Sequence, residues 1–76
     1  MMIKVNVKLF ATFRTGRFAA ALREYPEGTS IAEVIRELHI PEILIGMIML
    51  NNQHAEPGNQ VKDGDSLALF PLLGGG

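Results

Sequence analysis

The residues with the clearest chemical potential are the last seven of the chain, Phe70-Pro71-Leu72-Leu73-Gly74-Gly75-Gly76. Glycine has no Cβ, so a glycine arm can pass through a channel that any larger side chain would block. The reactive group at the tip is the carboxylate of Gly76. Because a carboxylate resists nucleophilic attack until one oxygen becomes a good leaving group, another protein must activate it. This arrangement is typical of a substrate or carrier rather than of an enzyme.

The glycine tail also has an ordinary explanation, since chain ends are commonly disordered and glycine is a common linker residue. Its position favours a mobile arm, because the glycines follow an apolar segment without a polar spacer. The six residues from Pro71 onward can extend about 20 Å when fully stretched. We therefore predict a folded domain over residues 1–71 and a flexible tail over residues 72–76. Leu72 and Leu73 are candidate partner contacts, because an apolar pair on an exposed arm needs a groove to cover it.

Other reactive constellations are weakly supported. The chain has no cysteine, which excludes disulfides, thiolate zinc sites and cysteine nucleophiles. His39 and His54 stand fifteen residues apart without a ligand-like pattern. Asp63-Gly64-Asp65 suits a turn better than a calcium loop, which needs further spaced oxygen ligands. We therefore predict no metal site, no bound cofactor and no acid–base enzyme.

The composition describes one small globular domain, with 76 residues, of which 47% are hydrophobic and 20% charged. Seven basic residues against eight acidic ones leave a net charge of −1, which argues against a nucleic-acid binder that relies on a basic surface. No polybasic run suggests membrane targeting, and no apolar run approaches the ~18 residues of a membrane span. We expect a cytoplasmic protein with neither nucleic acid nor membrane as a partner.

The first half of the chain predicts a strand and a helix. Residues 3–9 alternate apolar and polar side chains, which predicts a half-buried strand. Residues 18–25 suit either a helix or a return strand that pairs with the first. Ser30 and Glu33 have the spacing of a capping box, and Pro41 is expected to end the helix. Apolar residues recur at helical spacing between them, at Ile31, Val34, Ile35 and Leu38.

The second half predicts short strands and turns. Residues 47–50 predict a buried strand, Asn51-Asn52 a tight hairpin turn, and residues 53–56 a short return strand. Residues 66–70 predict the last strand. One helix between two β pairs predicts an α+β fold, in which a mixed sheet is packed on one face by the main helix. This is the β-grasp, or ubiquitin-like, order, and we expect the first and last strands to be central.

Several segments resemble the MoaD/ThiS sulfur-carrier family. Residues 7–14, Val-Lys-Leu-Phe-Ala-Thr-Phe-Arg, are similar to the opening strand and turn of that family, and residues 26–31 to its helix entry. Residues 62–71 and the terminal Gly75-Gly76 are similar to its most recognisable segment. The resemblance covers nearly the whole chain, supports the β-grasp fold, and favours a strand for residues 18–25.

The resemblance implies that the C-terminus carries sulfur. In this family an ATP-dependent activating enzyme adenylates the terminal glycine, here Gly76, and a sulfur donor then displaces AMP to leave a thiocarboxylate. Gly75, with Gly74 before it, corresponds to the part that passes through the partner's channel. Phe10 and Phe70 match aromatic positions that family members use against partner surfaces, while core packing is the alternative for both.

The leading hypothesis is a sulfur carrier for molybdopterin biosynthesis, which acts as a co-substrate and as the small subunit of a synthase rather than as an enzyme. Its implied partners are the activating enzyme, which uses the ATP, and the large subunit of molybdopterin synthase or an equivalent sulfur acceptor. The alternatives are a thiamin-thiazole sulfur carrier and a ubiquitin-like modifier conjugated through Gly76. A plain interaction domain with an inert tail is the remaining hypothesis.

Overall fold

The computed structural model describes residues 1–72. This part of the chain contains five strands and one α-helix. The elements are β1 (Met2–Leu9), β2 (Ala20–Pro26), α1 (Ile31–Glu37), β3 (Ile45–Leu50), β4 (Gln53–His54) and β5 (Ser66–Pro71). Short 3-10 turns occupy Ala11–Arg14 and Glu42–Leu44. The predictions for Leu73, Gly74, Gly75 and Gly76 lie outside the described residues.

The strands form one mixed sheet in the order β2-β1-β5-β3-β4. β1 pairs with β5 in parallel, and the β1–β2, β3–β5 and β3–β4 pairs are antiparallel. The first and last strands are therefore neighbours inside the sheet, as the sequence predicted. The predicted β-grasp fold is confirmed.

The core lies between the sheet and α1. Alternate residues of β1 and β5 point toward the helix, and the predicted apolar stripe of α1 meets them. The fully buried side chains are Val5, Val7, Leu9, Ile31, Val34, Ile35, Val61, Leu67 and Leu69. The intervening residues of β1 and β5 point to the opposite side, which we call the outer face of the sheet.

The ambiguous residues 18–25 contribute the edge strand β2 and not a helix. Val5 pairs with Arg23 and Ile3 with Tyr25, so β2 supplies hydrogen-bond partners along one side of β1. Tyr25 is buried, whereas Ala20 and Leu22 are exposed. Pairing with β1 decides the conformation of a segment whose local sequence permits both structures.

Helix α1 begins as predicted but ends earlier. The Glu33 N–H donates to Ser30 Oγ at 3.1 Å, and the Ser30 N–H donates to Glu33 Oε1 at 3.2 Å, which completes the capping box. The prediction that Pro41 ends the helix is wrong, because α1 ends at Glu37 and His39 has a left-handed φ of 59°. Arg17 holds this end, since its guanidinium donates to the carbonyls of Leu38 and His39.

Strand β3 is less buried than predicted. Of residues 47–50, only Ile48 is buried, because Met47 and Met49 lie on the outer face. The turn after β3 is confirmed, with φ of 52° and 67° at Asn51 and Asn52, while β4 is shorter than the predicted return strand.

Candidate functional site

Phe10 and Phe70 stack on the outer face of the sheet. Their ring centroids are 4.2 Å apart and their planes differ by 11°. The parallel register of β1 and β5 pairs Lys8 with Ala68. Two residues further on, Phe10 directly after β1 and Phe70 in β5 lie on the same side. Both side chains are half-buried and belong to the outer face, whereas the buried core lies on the other side. Their predicted contact with a partner remains a prediction, and both side chains are partly exposed.

Arg14 extends the aromatic stack with a positive charge. Its guanidinium carbon lies 5.5 Å from the centroid of the Phe10 ring, and its Nε–H donates to the Leu9 carbonyl at 2.8 Å. A cation at this distance from an aromatic ring contributes about 0.5–1 kcal/mol at an exposed site. Sequence reasoning did not select Arg14 as a site residue. The sequence feature that could have indicated Arg14 is its position four residues after Phe10. This spacing brings the two side chains together only because residues 11–14 form a 3-10 turn.

An apolar groove runs beside the stack. Its volume is about 320 Å³, and no charged side chain is among the residues that line it. These residues are Phe10, Ala11, Gly46, Met47, Phe70, Pro71 and Leu72. A second hollow of about 230 Å³ continues along the outer face past Met49 and Lys8. Met47 pairs with Phe70 across the sheet, and sequence reasoning missed it because residues 47–50 were predicted to be buried.

The end of β5 lines this groove. Pro71 is the last residue of the strand, and the Leu72 side chain is 62% exposed. The Leu72 N–H donates to the Leu44 carbonyl at 2.9 Å, so Leu72 is tied to the segment that precedes β3. Leu44 and Ile43 are also exposed. The other predicted tail residues, Leu73, Gly74, Gly75 and Gly76, lie outside the described residues.

The polar cluster of Arg23, Tyr25 and Glu37 joins β2 to α1, apart from the residues that line the groove. Arg23 forms an ion pair with Glu37, and the Tyr25 hydroxyl donates to Glu37 Oε1 at 3.1 Å. Burial raises the pKa of the Tyr25 hydroxyl above its ordinary value, with the Arg23 guanidinium opposing this shift. These contacts hold the edge strand against the helix, which is a structural role.

The carboxylate of Asp63 ties the predicted turn to β1, and the carboxylate of Asp65 hydrogen-bonds to the backbone of Lys62, directly before the turn. Asp63 Oδ1 accepts from the Lys4 N–H at 2.8 Å, and Asp65 Oδ2 accepts from the Lys62 N–H at 2.7 Å. Within residues 1–72, no three or more acidic, histidine or cysteine side chains are grouped so that they could hold a metal ion. Nor is any helix in that range long and apolar enough to cross a membrane.

The model of the ThiS family matches residues 7–76 of this chain. The chain belongs to the ThiS family. None of the curated proteins matches it in sequence.

Solved structures share the ThiS-family fold of this chain. A protein assigned as molybdopterin converting factor, subunit 1, from Pyrococcus furiosus is 27% identical, with a TM-score of 0.75 over 93% of this chain and 99% of that one. Small archaeal modifier protein 1 of Haloferax volcanii is 19% identical, with a TM-score of 0.76 over 93% and 99% of the two chains. A complex of subunits 1 and 2 of the molybdopterin-converting factor of Helicobacter pylori contains a chain that is 23% identical, with a TM-score of 0.61 and full coverage of both.

These relationships define the class of protein. This chain has the ubiquitin-like fold and belongs to a family of sulfur carriers.

Proposed function

We propose that this protein is the sulfur carrier of a molybdopterin synthase. The observation that supports this most directly is the position of the Phe10–Phe70 stack, because β5 runs from Phe70 to the start of the tail within two residues. A partner that covers the stack therefore lies next to the start of the C-terminal arm. Such an arrangement presents a substrate to an enzyme, and it needs no catalytic side chain on the carrier.

The chemistry at Gly76 proceeds in three steps. A carboxylate oxygen attacks the α-phosphorus of ATP and releases pyrophosphate, which leaves an acyl adenylate. The terminal sulfur of a persulfide donor then attacks the acyl carbon, and AMP leaves with the bonding electron pair. A thiol cleaves the S–S bond that still links the arm to the donor, which frees the thiocarboxylate and oxidises the donor and thiol to a disulfide. In this scheme ATP is bound by the activating enzyme, and the carrier itself binds no cofactor.

The choice of the molybdopterin branch has its support in the Pyrococcus furiosus relative, which is 27% identical over nearly the same length. In the Helicobacter pylori complex, a protein of this fold is bound to a second subunit. By analogy, this chain donates its sulfur to a pterin on the large subunit of molybdopterin synthase. It meets this subunit and the activating enzyme in the cytoplasm. The modifier alternative has its support in the fold shared with small archaeal modifier protein 1.

A two-stage assay tests this proposal. In the first stage, the activating enzyme is incubated with ATP and the carrier, and we expect ATP–pyrophosphate exchange that requires the carrier and is lost when Gly75 and Gly76 are deleted. In the second stage, the thiocarboxylated carrier is mixed with the large synthase subunit and a pterin precursor, and we expect sulfur in a dithiolene product. Absence of sulfur from the pterin would contradict the molybdopterin branch, and lysine-linked adducts would support the modifier.

A further inference from the structure

Gly46 lies where β3 and β5 change register at their ends. Met47 pairs with Phe70 and Ile45 pairs with Pro71, so Gly46 is the extra residue of a β-bulge in β3. A Cβ at Gly46 would lie 2.7 Å from the Pro71 carbonyl oxygen, 2.9 Å from the Leu72 Cα and 3.0 Å from the Leu72 N. All three are backbone atoms, which cannot swing aside as the end of a long side chain can.

Glycine is required at position 46 because there is no room for a Cβ atom, and not because of its backbone angles. The described glycines with a left-handed φ are Gly16, Gly28 and Gly64, and Gly46 is not among them. An alanine at position 46 would therefore be compatible with the local backbone angles but not with the chain that crosses it. Within the described residues this crossing chain ends at Leu72, whose N–H donates to the Leu44 carbonyl at 2.9 Å near Gly46.

We propose that Gly46 is a positioning residue for the reaction at Gly76, an inference that rests on the proposed function. By leaving room for Pro71 and Leu72 to lie on β3, it sets the point and the direction from which residues 73–76 leave the domain. Four residues span at most about 14 Å, so the nucleotide of the activating enzyme must come within that distance of Leu72. A shift of the starting point changes where so short an arm can reach, and it moves the carboxylate relative to the α-phosphorus.

The matched variants are Gly46→Ala and Gly58→Ala. A Cβ at Gly58 meets no atom within 4 Å, and its backbone is not left-handed, so this control adds the same methyl group without a clash. In the wild type and in Gly58→Ala, we expect the Leu72 amide to exchange with solvent more slowly than an unstructured peptide. In Gly46→Ala we expect that protection to be lost while the amides of Ile48 and Leu69 stay protected.

The activating enzyme supplies the functional readout. For Gly46→Ala we expect the kcat of adenylation to fall roughly 10- to 100-fold, because small misplacements of a reacting group cost rates of this order. The KM should change less than the kcat, since the Phe10–Phe70 stack proposed to bind the enzyme is intact. An unchanged kcat, or a higher KM at normal kcat, would overturn the positioning role.

The amide measurement separates this inference from the proposed function. If the wild-type carrier is never adenylated, the proposed function is wrong, and Leu72 exchange still decides whether Gly46 seats the arm. If Gly46→Ala does not fold, the hydrogen exchange of the Leu72 amide in the wild type tests the inference by itself. A protected Leu72 amide supports the inference, and exchange at the rate of an unstructured peptide overturns it.

Discussion

The rings of Phe10 and Phe70 lie parallel within 4.2 Å of each other on the outer face of the sheet, although sixty positions separate them in the sequence. The contact exists because β1 and β5 are parallel neighbours. It forms the apolar centre of a surface that also includes Met47, and Arg14 adds a charge at its rim.

Truncation of this stack should weaken partner binding as well as the fold. For Phe70→Ala we expect the KM for the activating enzyme to rise about 10-fold or more, since central aromatic residues dominate interface energies. The loss of the aromatic pair itself costs about 0.5–1.5 kcal/mol of unfolding free energy. The control is Leu22→Ala, which removes a 65% exposed apolar side chain from β2. Steady-state kinetics and urea unfolding measure the two effects, and equal KM values for the two variants would argue against the stack as the docking centre.

Loss of Arg17 should destabilise the end of α1. Its guanidinium donates to the carbonyls of Phe13, Leu38 and His39 at 3.2, 2.9 and 3.0 Å. For Arg17→Ala we expect a loss of about 1–3 kcal/mol in the free energy of unfolding, because charged hydrogen bonds to several carbonyls are removed together. Arg36→Ala removes the same charge from an exposed helix position and should cost far less. Chemical denaturation of both variants measures the difference, and similar losses would show that charge alone is responsible.

Stability should decline at high pH through Tyr25. Burial raises the pKa of this hydroxyl above its ordinary value of 10.0, so the neutral form is favoured in the folded protein. The corresponding stabilisation is fully present below about pH 10 and is lost as the pH rises through the folded-state pKa. Because Tyr25 is the one tyrosine in the chain, its absorbance reports the titration directly. In Tyr25→Phe this part of the pH dependence should vanish from urea unfolding, and an unchanged pH profile would assign it to other groups.

Removal of the last two glycines should separate function from stability. We expect the variant lacking Gly75 and Gly76 to lose sulfur transfer completely while its thermal unfolding temperature stays close to that of the wild type. The expected reason is that the tail contributes few buried contacts. Differential scanning calorimetry of both proteins measures this, and a large decrease in unfolding temperature would show that the tail is part of the folded structure.

The parts of the fold that depend on nearby residues were predictable from the sequence. The capping box of Ser30 and Glu33 and the apolar stripe of α1 are set by spacing within one helix, and the structure has both. The end of α1 was not predictable, because Arg17 holds it from twenty-one positions before Leu38. Residues 18–25 were ambiguous for the same reason, since their strand structure depends on pairing with β1.

The candidate site was predictable in some of its members but not in its arrangement. Phe10 and Phe70 follow from the family resemblance, whereas their contact requires the parallel pairing of β1 and β5. Met47 was missed because a short apolar run does not reveal which of its side chains face outward. The contact of Gly46 with Pro71 and Leu72 depends on a β-bulge, which leaves no recognisable pattern in the sequence.

The central claim, that Gly76 carries sulfur, is tested most directly by the intact mass of the protein. The full chain is incubated with its activating enzyme, ATP and a persulfide donor, and its mass is compared with that of a sample without ATP. We expect the ATP-treated protein to gain the mass difference of one sulfur replacing one oxygen, with fragmentation placing the change at Gly76. An unchanged mass in the presence of an active enzyme and donor would contradict the sulfur-carrier function.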